Sequence, residues 1–233
     1  MGAEYKNQVL SCLPRTEIAR LQHDLEPVLL PQNKDLSRPG EKARYAYFLE
    51  GGMASIVVTM RSGVSVEVGI VGREGMVGLP ILFGTGHMTT HTFMQIGGSG
   101  FRIRAQALKA VFDRPGTFRV LCGRYFQSHL VQVSNSAACN RVHNIEERLA
   151  RWLLLCHDRT ALSRLPLTHE FLSQMLGTGR ATVSLAAEIL QRSKLIAYSR
   201  GKVDILDRKG LEGAACECYQ SIRAEDDRLS SLS

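Results

Sequence analysis

Apolar residues between positions 167 and 190 recur with the spacing of two short helices. Phe171, Leu172, Met175 and Leu176 fall at i, i+1, i+4 and i+5, which makes one apolar stripe on a helix that Thr168 can cap. Gly177 then supplies the residue most tolerant of the left-handed conformation at a helix end, and Thr178 can cap a second helix. In that second helix Val183, Ala186, Ala187 and Leu190 form a buried face, while Arg180, Ala181, Ser184, Leu185 and Glu188 point elsewhere. The runs 195–199 and 203–206 alternate as strands around Arg200 and Gly201. Two helices about a glycine turn, followed by a basic hairpin, predict a winged helix-turn-helix that places one helix in the major groove of DNA.

Such a helix presents its amino end to base edges. Arg180 is the expected reader, because its guanidinium fork can pair with both O6 and N7 of a guanine. Thr182 and Ser184 are expected to hold phosphates, with the capping hydroxyls of Thr168 and Thr178 also within that set. Arg200 and Lys202 at the hairpin tip are expected phosphate anchors, and Leu185 offers contact to a thymine methyl. The competing interpretation is an ordinary helical hairpin carrying a solvated arginine.

Before residue 116 the pattern changes to short β-branched runs, such as 55–59 and 64–71. They are separated by Pro39-Gly40, Gly51-Gly52, Ser62-Gly63, Gly72, Gly75, Gly84, Gly86 and Gly97-Gly98. That spacing predicts a jelly-roll-like barrel. None of the glycines forms a strand-to-helix GxxxxGK[ST], which argues against a nucleotide-hydrolysing loop. Pro115-Gly116 opens one long helix, in which Phe118, Cys122, Tyr125, Phe126, Leu130, Val133 and Ala137 recur at three and four, interrupted by His129 and Gln132. A stripe of this length has little of its own domain to cover, so it packs on the barrel or pairs with another helix. Asn144 with Glu147 three residues on predicts a capping box that restarts the chain over 145–156, with Leu149, Trp152, Leu153 and Cys156 inward. The fold class is therefore α+β. A double-stranded β-helix (jelly-roll) barrel occupies residues 1–115, a long helix 116–140, and a winged helix-turn-helix domain 141–233.

Composition adds a partner to this outline. At 233 residues the chain suits two domains, each with its own core. Its net charge of +7 favours an anionic partner. Residues 141–209 hold 12 basic side chains against 7 acidic, whereas the segment 1–140, twice as long, holds 15 against 10 and the tail 210–233 holds 2 against 5. Positive charge is thus densest where the helix-turn-helix is predicted. No run of about 18 apolar residues and no signal-peptide pattern occurs, so a cytoplasmic protein away from membranes is expected.

Three segments resemble, in order and spacing, the Crp/Fnr family of bacterial transcription regulators. LTHEFLSQMLGTGRATVS resembles the family's helix-turn-helix, and NIEERLARWLL the helix leading into it. GEKARYAYFLEGGMASIVV followed by GREGMVGLPILFG resembles the glycine-punctuated strands of the cyclic-nucleotide-binding β-roll, so that the likeness runs from about Pro39 to Asp207. The resemblance implies a non-enzymatic regulator whose helices 116–140 pair into a homodimer. It also implies double-stranded DNA with a two-fold symmetric operator as its target, and RNA polymerase as a further partner. Ala181 stands where relatives often carry a base-reading glutamate, and Leu185 where they often carry an arginine, so a different operator is expected.

Relatives that bind cyclic nucleotides use a Gly-Glu pair on the ribose and an Arg-Ser or Arg-Thr pair on the phosphate. Here Gly78 is kept, Leu79 replaces the glutamate, Thr89 replaces the arginine, and Thr90 keeps only the hydroxyl. Control by cyclic AMP is therefore not expected. This degenerate pocket holds something more apolar or nothing, with Leu79, Pro80, Ile81 and Met88 equally suited to the core, and the effector is left unidentified.

The six cysteines, Cys12, Cys122, Cys139, Cys156, Cys216 and Cys218, look too scattered for a structural zinc site. Iron-sulfur relatives carry an N-terminal cysteine cluster, but only Cys12 lies there. Cys216 and Cys218 on a C-terminal helix could bind a soft metal, yet buried or solvated thiols are the expectation, as are surface positions for His87 and His91. No metal or other cofactor is expected. Two other classes stay open: a small-molecule sensor whose barrel holds an apolar ligand or haem, and a cupin-like enzyme, for which the HxH cluster is missing.

Overall fold

Two short helices, α1 (Gln8–Ser11) and α2 (Arg15–Gln22), lead into a run of short strands. These are β1 (Glu26–Leu30), β2 (Asp35–Ser37), β3 (Tyr45–Leu49), β4 (Met53–Thr59), β5 (Ser65–Val71) and β6 (Met76–Val77). The small helix α3 (Leu79–Leu82) interrupts them before β7 (His91–Ile96), β8 (Gly98–Arg104) and the closing helix α4 (Ala105–Phe112). The strands make two four-stranded sheets, β1-β8-β3-β6 and β2-β7-β4-β5, the expected double-stranded barrel. This computed structural model describes residues 5–230; the outermost positions of the expected domains, 1–4 and 231–233, lie outside the described residues.

The remainder begins with α5 (Thr117–Val142) and α6 (Ile145–Thr160), followed by β9 (Arg164–Pro166), α7 (His169–Leu176) and α8 (Arg180–Arg192). The hairpin β10 (Ile196–Ser199) and β11 (Lys202–Ile205) comes next, then α9 (Arg208–Ala214) and α10 (Cys218–Ser230). The described residues divide into two compact units: 5–56 with 70–130 and 225–230, and 57–69 with 131–224. The long helix contributes to both. No helix among the described residues is long and apolar enough to cross a membrane.

In the first unit Leu30, Phe48, Leu49, Met76, Met94, Ile103 and Leu108 form a core that α5 completes with Phe118, Leu121, Cys122 and Tyr125. Gly75 is needed there, because a Cβ at that position would lie 1.9 Å from the Tyr125 ring. The apolar stripe expected along the long helix is divided by this packing. Phe118, Cys122 and Tyr125 are buried, whereas Phe126, Leu130 and Ala137 are exposed, and Val120 joins them on the outward side. Gln132 does not interrupt the outward face because it is buried, and His129 is half-buried.

In the second unit Asn144 caps α6 as expected, its side chain accepting from Glu147 N at 2.9 Å while Glu147 accepts from Asn144 N at 3.2 Å. Leu149, Trp152, Leu153 and Cys156 all point inward. The Trp152 indole donates to the buried Glu67 carboxylate at 2.6 Å, which satisfies both groups out of contact with water.

The start of α5 is held by a residue that periodicity did not mark. Glu17 accepts from the Thr117 and Phe118 amides, each at 2.8 Å, and so serves as a remote N-cap. Burial acts to raise its carboxyl, but the two amide bonds outweigh it and the carboxyl titrates below its ordinary value of 4.5. Glu17→Ala should cost about 1 to 2 kcal/mol at neutral pH. Because the folded state favours the ionised form, that stabilisation is present above the ordinary carboxylate range and disappears as pH falls through the lowered value. Urea denaturation of both proteins at pH 7 and near pH 3 checks this, and a gap between them that does not shrink in acid contradicts the capping role.

Candidate nucleic-acid interface

The helix-turn-helix is built from three local decisions. Thr168 caps α7, its hydroxyl accepting from Phe171 N at 3.2 Å. Gly177 ends the helix in the left-handed conformation (φ 60°), with its amide donating to Gln174 O and the Thr178 amide to Ser173 O at 3.0 Å. The third decision differs from expectation: Thr178 does not cap α8. Its amide closes the end of α7, so the extended Gly179 takes the N-cap position and no side chain caps the helix. Arg180 thereby becomes the first residue of α8.

This start leaves Arg180, Ala181, Thr182 and Leu185 exposed, while Val183, Ala186, Ala187 and Leu190 are buried as the periodicity requires. Leu185 is 57% exposed, an apolar side chain presented outward from a mainly polar face. The Ser184 hydroxyl lies 2.9 Å from Arg180 O and 2.9 Å from His169 Nδ1, contacts within the domain that the sequence pattern did not signal.

His169 and its neighbours were not signalled by the helix pattern. The His169 ring stacks on Tyr198 with centroids 4.0 Å apart, and burial, followed by the nearby Arg180 charge, lowers its pKa below the ordinary histidine value. Tyr198 donates its hydroxyl to Leu167 O at 3.0 Å and its amide to the Gln191 side chain at 2.7 Å. One stacked pair thus ties α7, α8 and β10 together. The available clue was the alternation Ile196, Tyr198, which puts both side chains on the inward face of the hairpin.

The wing is a two-residue hairpin in which Ser199 pairs with Lys202, and Arg200 (φ 47°) and Gly201 (φ 72°) both take left-handed conformations. Arg200 and Lys202 are exposed at its tip. β9, too short to be seen as a strand in the sequence, adds to the other edge of β11, where Arg164 and Asp204 lie 3.4 Å apart.

The barrel positions are placed as follows. Gly78 takes a left-handed conformation (φ 111°) at the start of α3, and a Cβ there would crowd Ala46. Leu79 packs half-buried on the barrel core, Thr90 is half-buried and Thr89 exposed, while Ile81 and Met88 are buried. Cys216 and Cys218 are buried, as expected. The cysteines are not too scattered to meet, however, because the fold gathers these two with Cys139 and His143 into one group of potential metal ligands. Sequence separation hid this: Cys139 and Cys216 are 77 residues apart.

Residues 147–214 match the Crp-like helix-turn-helix domain. The global nitrogen regulator of Synechococcus elongatus is 22% identical over 187 residues, covering 76% of this chain and 83% of that protein. Among solved structures, FixK2 from Bradyrhizobium japonicum superposes with a TM-score of 0.69 at 14% identity, covering 82% of this chain and 98% of the other. The c-di-GMP-responsive global regulator CLP from Xanthomonas campestris gives 0.66 at 17% identity, covering 82% and 99%. The β-roll, long helix and winged helix-turn-helix follow one another here as the sequence pattern predicts. The chain therefore carries a Crp-like helix-turn-helix domain within the fold of the Crp/Fnr transcription regulators.

Proposed function

We propose that the protein acts as a homodimer that reads a two-fold symmetric duplex site through the amino end of α8 and so regulates transcription in the cytoplasm, with RNA polymerase as a partner. One observation carries this reading: Arg180, Ala181, Thr182 and Leu185 project from the uncapped start of α8, with Arg200 and Lys202 exposed on the wing. The arrangement suits base contact from the helix and phosphate contact from its free amides and from the wing.

Dimerisation is supported by the outward face of α5. Val120, Phe126 and Leu130 are exposed there, and with Gly123 and Ala137 they form a strip at helical spacing. A second copy of the helix covers it symmetrically and sets the spacing of the two reading heads. Cyclic AMP does not fit as the effector, because Leu79 and Thr89 offer neither the carboxylate nor the guanidinium that ribose and cyclic phosphate require.

Selection of bound duplexes from a random pool with purified protein tests the whole reading, and recovery of no symmetric site overturns it. Arg180→Ala should weaken binding to a selected site by about 1 to 3 kcal/mol and relax discrimination at one base pair. Equal preference for the selected over a scrambled duplex in the variant and the parent removes Arg180 from base reading. Lys202→Ala should weaken all duplexes alike and lower the slope of log affinity against log salt by about one. Fluorescence anisotropy across a salt series measures this, and an unaltered slope takes Lys202 out of the phosphate contacts.

A further inference from the structure

Cys139 occupies the last turn of α5, and His143 follows one helical turn later, its amide still donating to Cys139 O at 3.1 Å. The pair therefore shares one face at i, i+4. Cys216 and Cys218 lie across the turn between α9 and α10, with Tyr219 N bonded to Cys216 O at 3.0 Å. One ligand atom from each of the four residues lies within 4.8 Å of every other. The Cys139 and Cys216 sulfurs are 3.5 Å apart, and Cys218 Sγ is 3.8 Å from His143 Nδ1. We propose that Cys139, His143, Cys216 and Cys218 form a tetrahedral site for a single zinc ion, a Cys3His centre within the second unit.

The dimensions fit that ion. Bonds of about 2.3 Å to sulfur and about 2.0 to 2.1 Å to nitrogen give a tetrahedron with edges of roughly 3.5 to 3.8 Å. A four-iron cluster spreads its ligand sulfurs much further apart, so the closeness of these donors selects a mononuclear centre. The three cysteines are buried and form a core cluster of their own, separate from the large apolar core. A packing role for sulfur does not call for three thiols and an imidazole aimed at one point.

Two neighbours complete the site. His143 Nε2 lies 3.0 Å from a Glu217 carboxylate oxygen, and a proton on Nε2 leaves the Nδ1 lone pair directed at the sulfurs. This is the carboxylate–histidine–metal relay that fixes the tautomer of zinc-bound histidines. Arg151 is only 4% exposed, its Nε has no partner, and its guanidinium makes one long bond of 3.4 Å to Ser136. Its charge acts on Cys139 and Cys218. A buried cation requires a counter-charge, and three thiolates around a divalent ion supply one net negative charge. On binding, the three thiols release their protons to solvent, and three sulfur lone pairs with the Nδ1 lone pair bind the ion.

The test uses the full chain, reduced and stripped with a chelator, then titrated with Co2+ and afterwards with Zn2+. One cobalt ion per chain is expected, with the intense visible absorption of a tetrahedral thiolate-rich centre, and one equivalent of zinc should bleach it. Zinc should also raise the melting temperature, and chelator should reverse the gain. Cys139→Ser and Cys216→Ser should lose stoichiometric binding, while Cys12→Ser, altering a cysteine outside the cluster, should keep it. The proposal is overturned if the parent chain shows no tetrahedral cobalt spectrum, if Cys139→Ser binds as the parent does, or if Cys139 and Cys216 are recovered as a disulfide under reducing conditions. The cobalt titration of the parent decides the matter even if the variants do not fold.

Discussion

The left-handed turn at Gly177 is the constraint on which the setting of α8 depends. Ending α7 there commits the Thr178 amide to the preceding helix, passes the N-cap to Gly179 and makes Arg180 the first residue of α8. A β-carbon at Gly177 would carry the strain of a positive φ and would also come within 3.3 Å of Val66. Had the turn closed one residue later, the buried set Val183, Ala186, Ala187 and Leu190 would rotate about 100° relative to α7, and the outward set with it. The identity of the presented side chains is thus decided by backbone geometry several residues before them.

Once α8 is started correctly, its orientation is kept by polar contacts inside the domain. Ser184 bridges Arg180 O and His169, and His169 stacks on Tyr198 of the wing. These bonds hold the first turn of α8 without occupying the Arg180 guanidinium.

Most of the architecture was legible because it rests on local periodicity. The stripe of α7, the buried face of α8, the Asn144 capping box and the Arg200-Gly201 hairpin each depend on residues within one or two turns of one another. What escaped depends on distance. Glu17 caps a helix 100 residues away, Cys139 meets Cys216 across 77 residues, and β9 has only three residues with which to declare itself. Thr178 was misplaced for a subtler reason: a threonine after a glycine satisfies the side-chain rule for a cap, but its backbone was already in use.

The rotational setting of α5 has its origin in an absent methyl group. Tyr125 lies where a side chain on residue 75 would stand, so the tyrosine ring is pressed against bare backbone and the helix cannot turn about its own axis without lifting away. Which residues of α5 look outward, and therefore the phase at which any second helix must meet it, is fixed by a single hydrogen atom in the turn before β6.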